Sequence, residues 1–161
     1  MKKSAIVIDI DNCWMDSRLW LSNVPMWSKN EADWEIFYRK VYLCKPNKPF
    51  INDIMTMIID REVYPIFVTS RSEQVKKSTI FQIQNNSSLI INETCSLYMR
   101  RANIDYRSSD AVKRDILQEL MNEYNILYVI DDDMKNLKMF KELGIPTVIR
   151  YDINSNDYER L

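Results

Sequence analysis

Ser4-Ala5-Ile6-Val7-Ile8-Asp9 is a short apolar run that ends in an acid, and a second acid follows at Asp11. A continuous apolar run without alternation is the profile of a strand buried on both faces of a parallel sheet. In such sheets ligands bind beyond the carboxyl ends of the strands, near the point where strand order reverses. Asp9 and Asp11 therefore stand where a site is expected.

Working outward, Trp34, Phe37, Tyr38 and Val41 fall at i, i+3, i+4 and i+7 and predict an amphipathic helix over 31–43. Pro46 and Pro49 mark a break, after which Ile51, Ile54, Met55 and Ile58 share one face of a second helix. Residues 63–69 read as a second strand with Pro65 near its start, 72–85 as a weaker helix and 96–100 as a third strand. Helix 110–124 has Val112, Ile116, Leu117, Leu120 and Tyr124 on its apolar face, with Ser109 or Asp110 as N-cap. A strand at 127–131, a helix over 134–143 and a strand at 146–150 complete the series, with Gly144 at the C′ stop of that helix. The expected fold is α/β: a doubly wound, Rossmann-like parallel sheet of about five strands with helices on both faces. Residues 1–161 read as one domain, and 12–48 as an aromatic-rich helical insert after strand one, a lid or minimal cap.

Composition narrows the chemistry. The 161 residues include no histidine and one glycine, where average usage would give roughly 11 glycines. That excludes Ser-His-Asp and Cys-His catalysis, histidine zinc sites, the G-x-x-x-x-G-K-[ST] phosphate loop and the G-x-G-x-x-G dinucleotide turn. Catalysis must rest on carboxylates, hydroxyls, lysine, arginine or thiols. A net charge of −1 offers no global attraction to nucleic acid or membrane. Cys13, Cys44 and Cys95 lack metal-ligand or C-x-x-C spacing and read as reduced thiols of a cytoplasmic protein. The apolar stretch before Asp9 is too short for a signal peptide, and no run reaches the length of a membrane span.

The other strand ends carry a matching set. Strand two runs into Thr69-Ser70-Arg71, Lys113 lies in the first turn of the helix before strand four, and strand four runs into Asp131-Asp132-Asp133. Asp favours turns, which explains any one acid but not the ordered set. A carboxylate that attacks phosphorus needs a divalent cation to offset its repulsion from the phosphate, and acid clusters suit Mg²⁺. A hydroxyl and a lysine can neutralise and orient the remaining phosphoryl oxygens. A second acid can protonate the leaving alkoxide and then deprotonate water.

In this order, Asp9-Ile10-Asp11, Thr69, Lys113 and Asp131-Asp132 resemble the four motifs of the haloacid dehalogenase-like phosphatases. Their separations of 60, 44 and 18 residues suit that fold. Arg101, Ile104-Asp105-Tyr106-Arg107 and Asp110-Ala111-Val112-Lys113 further resemble the 3′-phosphatase domain of phage polynucleotide kinases, as does Trp34-Glu35-Ile36-Phe37-Tyr38 followed by Pro49. The resemblance implies Mg²⁺-dependent hydrolysis of a 3′-phosphate on a nucleic acid end or nucleotide, through a phospho-aspartate. It would make Asp9 the nucleophile, Asp11 the general acid/base, Thr69 and Lys113 phosphate ligands, and Asp9, Asp11, Asp131 and Asp132 the metal site. Ser70, Arg71, Arg101, Arg107 and Asp110 would be substrate-side or supporting residues. No kinase half is expected, for lack of room and of a glycine loop. Where relatives carry glycine after the second acid this chain has Asn12, which tolerates left-handed geometry. Ser70 stands where the phage enzymes tend to have glycine.

The alternatives are a nucleotidase or small-molecule acid phosphatase, a phosphoacceptor receiver module, and a nucleotide-binding domain without turnover. Motif order disfavours the receiver, because strand three ends in Met99-Arg100-Arg101 with no acceptor acid. Trp14, Trp20, Trp27 and Trp34 all fall early. They read as a hydrophobic subcore of the insert in preference to a base-stacking lid. Arg101 and Arg107 are expected to contact phosphate, and Asp133 to cap the helix that begins at Met134.

Overall fold

The computed structural model describes residues 2–24, 31–102 and 104–161. Its main sheet is built from β1 (Lys3–Ile8), β4 (Tyr64–Ser72), β5 (Ser96–Arg100), β6 (Tyr124–Asp131), β7 (Thr147–Asp152) and β8 (Asp157–Arg160), in the order β5-β4-β1-β6-β7-β8. The first five strands pair in parallel, as their apolar runs predict, and β8 pairs antiparallel with β7. The sheet thus has six strands where about five were expected. The extra one is an exposed polar edge strand with no apolar signature. Because β1 lies between β4 and β6, the chain reverses direction of travel across the sheet beside β1, and a crevice opens there.

Side chains of β1 alternate between two cores. Ile6 and Ile8 join Phe67 of β4 and Ile130 of β6 against Phe50, Ile51 and Ile54 of α3 (Lys48–Arg61). Ala5 and Val7 face Leu117 and Leu120 of α5 (Ser109–Glu123) and Leu137 and Phe140 of α6 (Met134–Glu142). Each fully buried large aliphatic side chain contributes about 1.5–3 kcal/mol, so β1 anchors both layers.

Between β1 and α3 the described residues form a two-stranded clasp, β2 (Met15–Asp16) with β3 (Lys45–Pro46), around α1 (Arg18–Leu21) and α2 (Glu31–Lys40). The predicted helix 31–43 stops at Lys40 and tightens into a 3₁₀ turn over Val41–Leu43. The described tryptophans do not make a separate subcore. Trp14 is fully buried and packs edge-on against Phe67, with ring centroids 4.8 Å apart. Trp20 and Trp34 lie against the same core cluster. Trp27 lies outside the described residues.

Other boundaries shift for local reasons. Strand two continues past Thr69 to Ser72, where the Ser72 hydroxyl accepts from the Gln74 N–H; α4 therefore starts only at Lys76 and ends at Gln84. Helix 110–124 begins at Ser109, so its cap position is Ser108, not Ser109 or Asp110, and Ser108 makes no side-chain cap bond. Asp133 does cap α6, its Oδ1 accepting from the Lys135 N–H at 2.8 Å. Gly144 adopts φ +78° just past α6, the left-handed stop expected of it.

Candidate active site

Asp9 leaves β1 still in sheet geometry, its N–H donating to the Ile130 carbonyl at 3.0 Å. Two residues after Asp11's neighbour Ile10 the chain turns back: Asn12 adopts φ 60°, its N–H donates to the Met15 carbonyl at 2.8 Å, and its Nδ2 donates to Asp132 Oδ2 at 3.2 Å. Asparagine thus supplies the left-handed turn and also holds the acid just past β6.

Lys113 sits in the second turn of α5 and is buried, its ammonium donating to Asp9 Oδ1 at 2.6 Å and to Asp131 Oδ2 at 2.7 Å. Asp131 is saturated further by the Asp133 N–H at 2.9 Å and by Asn136 Nδ2 at 3.1 and 3.2 Å. One ammonium therefore faces two buried carboxylates, with Asp132 beside them. Burial pushes Asp9 well above the ordinary carboxylate value; Lys113 opposes the rise, while the charges of Asp131, Asp132 and Asp11 add to it. Burial also raises Asp132 to about 7, with Asp131 adding to it. Burial pulls the Lys113 ammonium down, but Asp131 and Asp9 more than offset this and hold it above its usual value.

The second acid of the pair has different partners. Arg71, buried at the end of β4, grips Asp11 through both oxygens, Nε to Oδ2 at 2.9 Å and Nη2 to Oδ1 at 2.6 Å. Ser17 also donates to Asp11 Oδ1. Arg71 Nη1 in turn donates to Gln82 Oε1 at 2.6 Å and Thr79 Oγ1 at 3.3 Å, both buried on α4. Gln82 Nε2 donates to the Val41 carbonyl at 2.7 Å. Thr69 is buried at the same strand end, its hydroxyl accepting from the Arg71 N–H at 3.2 Å.

The four acids expected to share a metal are therefore not equivalent. Asp11 is committed to Arg71 and Ser17, and Asp131 to Lys113 and Asn136. The group whose ligand atoms lie within 4.8 Å of one another is Asp9, Asp132 and Cys13. Three acids against one lysine, and a buried Asn12 Oδ1 with no hydrogen-bond partner, make this a pocket whose donor set fits a cation. Asp9 and Asp132 would hold it.

The substrate-side set is dispersed. Arg71 faces inward. Ser70 is half-buried and its carbonyl accepts from Arg100 Nε at 2.9 Å. Arg107 is tied to Asp105 at 2.9 Å and Asp115 at 2.7 Å, although half of its side chain remains exposed. Arg101 is exposed, and Asp110 is half-buried in the first turn of α5. Ser17, Thr79, Gln82 and Asn136 escaped the sequence reading. Asn136 alone left a signal, a polar residue five positions past Asp131 on the apolar side of α6.

The fold is the Rossmann-like one of haloacid dehalogenase-like phosphatases. The chain superposes on a solved chain of the Pnkp1/Rnl/Hen1 RNA repair complex with a TM-score of 0.69 at 17% identity, over 94% of this chain and 43% of that one. A second structure of the Pnkp1/Rnl/Hen1 complex gives 0.69 at 18%, over 94% and 46%. The class C acid phosphatase from Bacillus anthracis with tungstate bound gives 0.51 at 14%, over 84% and 54%. The chain spans under half the length of the repair-complex chains it resembles. No curated protein matches it. The chain belongs to the polynucleotide kinase PNKP phosphatase domain family, whose model matches residues 26–158. That span contains Thr69, Lys113, Asp131 and Asp132 and begins after Asp9 and Asp11. Among the described residues no helix is long and apolar enough to cross a membrane.

Proposed function

We propose that this domain removes a terminal 3′-phosphate from a nucleic acid end, with Asp9 as nucleophile and Asp11 as general acid/base. The observation that carries this reading is the split between the two acids. Asp9 is held by Lys113 among buried carboxylates, while Asp11, two residues on, is held separately by Arg71. Two carboxylates in unlike surroundings are suited to unlike roles.

An Asp9 oxygen attacks phosphorus, the phosphorus–ester oxygen bond breaks, and Asp11 gives its proton to the leaving oxygen. Asp11 then takes a proton from water, whose oxygen attacks the phospho-aspartate and releases inorganic phosphate. Lys113 fixes the Asp9 carboxylate for attack, and Thr69 and Lys113 meet phosphoryl oxygens. Asp9 and Asp132 would hold a divalent cation such as Mg²⁺, which would supply positive charge to offset the repulsion between carboxylate and phosphate. The polynucleotide class of substrate is supported by the family and by the likeness to RNA repair complexes.

The test is a kcat/KM panel of 3′-phospho-oligonucleotides, nucleoside 3′- and 5′-monophosphates and p-nitrophenyl phosphate, run beside Asp9→Asn. The expected result is preference for the oligonucleotide, weakened steeply by salt, and loss of all turnover in the variant. Equal rates on every ester would refute the substrate, and an active Asp9→Asn would refute the nucleophile.

A further inference from the structure

Cys13 is fully buried, and the mechanism above does not use it. It follows Asn12 in the turn that carries the chain out of β1, its N–H donating to the Ile10 carbonyl at 3.3 Å and its carbonyl accepting from Asn47 Nδ2 at 2.9 Å. Both backbone groups are thereby pinned. Its sulfur lies within 4.8 Å of carboxylate oxygens of Asp9 and Asp132. The unpartnered Asn12 Oδ1 is buried in the same turn. Cys44 and Cys95 are also buried but belong to no such group among the described residues.

Ligand softness determines what such a trio takes. Mg²⁺ demands oxygen donors and leaves a neutral thiol alone. Thiolate suits softer cations, and a mixed sulfur–oxygen set is ordinary zinc chemistry, with Zn–S about 2.3 Å and Zn–O about 2.0–2.2 Å. Ligand atoms around one tetrahedral ion stand roughly 3.5 Å apart on those bond lengths, so a short inward movement of the three side chains suffices.

We propose that Cys13 is a conditional metal ligand, which turns the Asp9–Asp132 cation site into a thiolate site for thiophilic divalent cations such as cobalt, zinc or cadmium. It rests on the reading of Asp9 and Asp132 as cation ligands. On binding, the sulfur–metal bond forms, one water leaves the hydrated ion, and the thiol proton passes to solvent. The bound soft cation occupies Asp9 and competes with Mg²⁺.

The experiment is titration of Co²⁺ into the metal-free full chain, followed by absorbance and equilibrium dialysis. The expected result is a near-ultraviolet thiolate-to-cobalt charge-transfer band that saturates with binding and is reversed by excess Mg²⁺. Cys44→Ser and Cys95→Ser retain the band, and Cys13→Ser loses it while still binding Co²⁺. Asp132→Asn, which keeps all three thiols, weakens the band and guards against misfolding of the cysteine variant. Binding of Co²⁺ without the band, or a band that survives in Cys13→Ser, would overturn the inference and leave the Asp9–Asp132 site standing. Absence of any binding would overturn both.

Discussion

Lys113 is the residue whose loss the site tolerates least. Among the described residues its ammonium is the only cation that donates to Asp9 and Asp131, at 2.6 and 2.7 Å, and all three groups are buried. Removing one partner of a buried ion pair leaves an uncompensated charge, at a cost of about 3–5 kcal/mol. Lys113→Met is therefore expected to lose turnover and about that much stability in urea denaturation; a variant within 1 kcal/mol or so of the parent would show that the triad does not hold the site together. Arg71 has the same standing toward Asp11, and Gln82→Leu, which leaves an Arg71 N–H unpaired, should lower kcat on poor leaving groups more than on p-nitrophenyl phosphate. Equal losses on both would mean that Gln82 serves packing alone. The acids were legible in the sequence because each ends an apolar run, a one-dimensional signal. The Arg71–Asp11 pair was not, since its partners lie 60 residues apart and the inward turn of Arg71 depends on the irregular pairing of β4 with β5 between Thr69 and Ser72.

At the scale of elements, the connection from β5 to α5 is tied by its own charges. Arg100 donates to the carbonyls of Asp105 at 3.2 Å and Arg107, while Arg107 donates to Asp105 through Nε at 3.0 Å and its backbone N–H at 3.2 Å. Hydrogen bonding from Arg107 lowers Asp105 to about 2. A depressed carboxylate stabilises the fold above its unfolded value, about 3.9, and that contribution disappears as pH falls through 2. Because Arg107 is half exposed, the contribution is about 1 kcal/mol or less. Asp105→Asn should cost that much near pH 7 and nothing near pH 2, read from denaturation at both; a cost independent of pH would assign the loss to something other than charge. The tie also explains why a basic cluster read as phosphate-facing in the sequence is partly self-paired in the structure. Elements with apolar periodicity were legible in place and type, β5 to the residue at Ser96–Arg100, while the bounds of others moved by up to four residues. β8 was not, because Asp157-Tyr158-Glu159-Arg160 buries no face, and Ser108-Ser109-Asp110 offered three capping residue types in a row.

For the molecule as a whole, the sheet brings residues from β1, β4, β6 and α5 to one rim and leaves a surplus of negative charge there. A cation that binds only the folded state adds stability by mass action, about 2.7 kcal/mol at a hundred times its dissociation constant. Mg²⁺ should therefore raise the urea midpoint of the parent and have little effect on Asp132→Asn, while chelation should abolish turnover; full activity in chelator would contradict the metal assignment. The insert was legible as an aromatic segment, but its described tryptophans pack on the sheet core and not into a subcore of their own. Trp14 packs into the sheet core, a long-range contact that helical periodicity cannot report. In the proposed mechanism phosphorus passes through Asp9. Borohydride reduction during turnover of a 3′-phospho-oligonucleotide, followed by peptide mass spectrometry, tests it most directly. Reduction of Asp9 to homoserine is expected only when substrate is present. Continued hydrolysis with Asp9 unmodified, or modification at another acid, would contradict it.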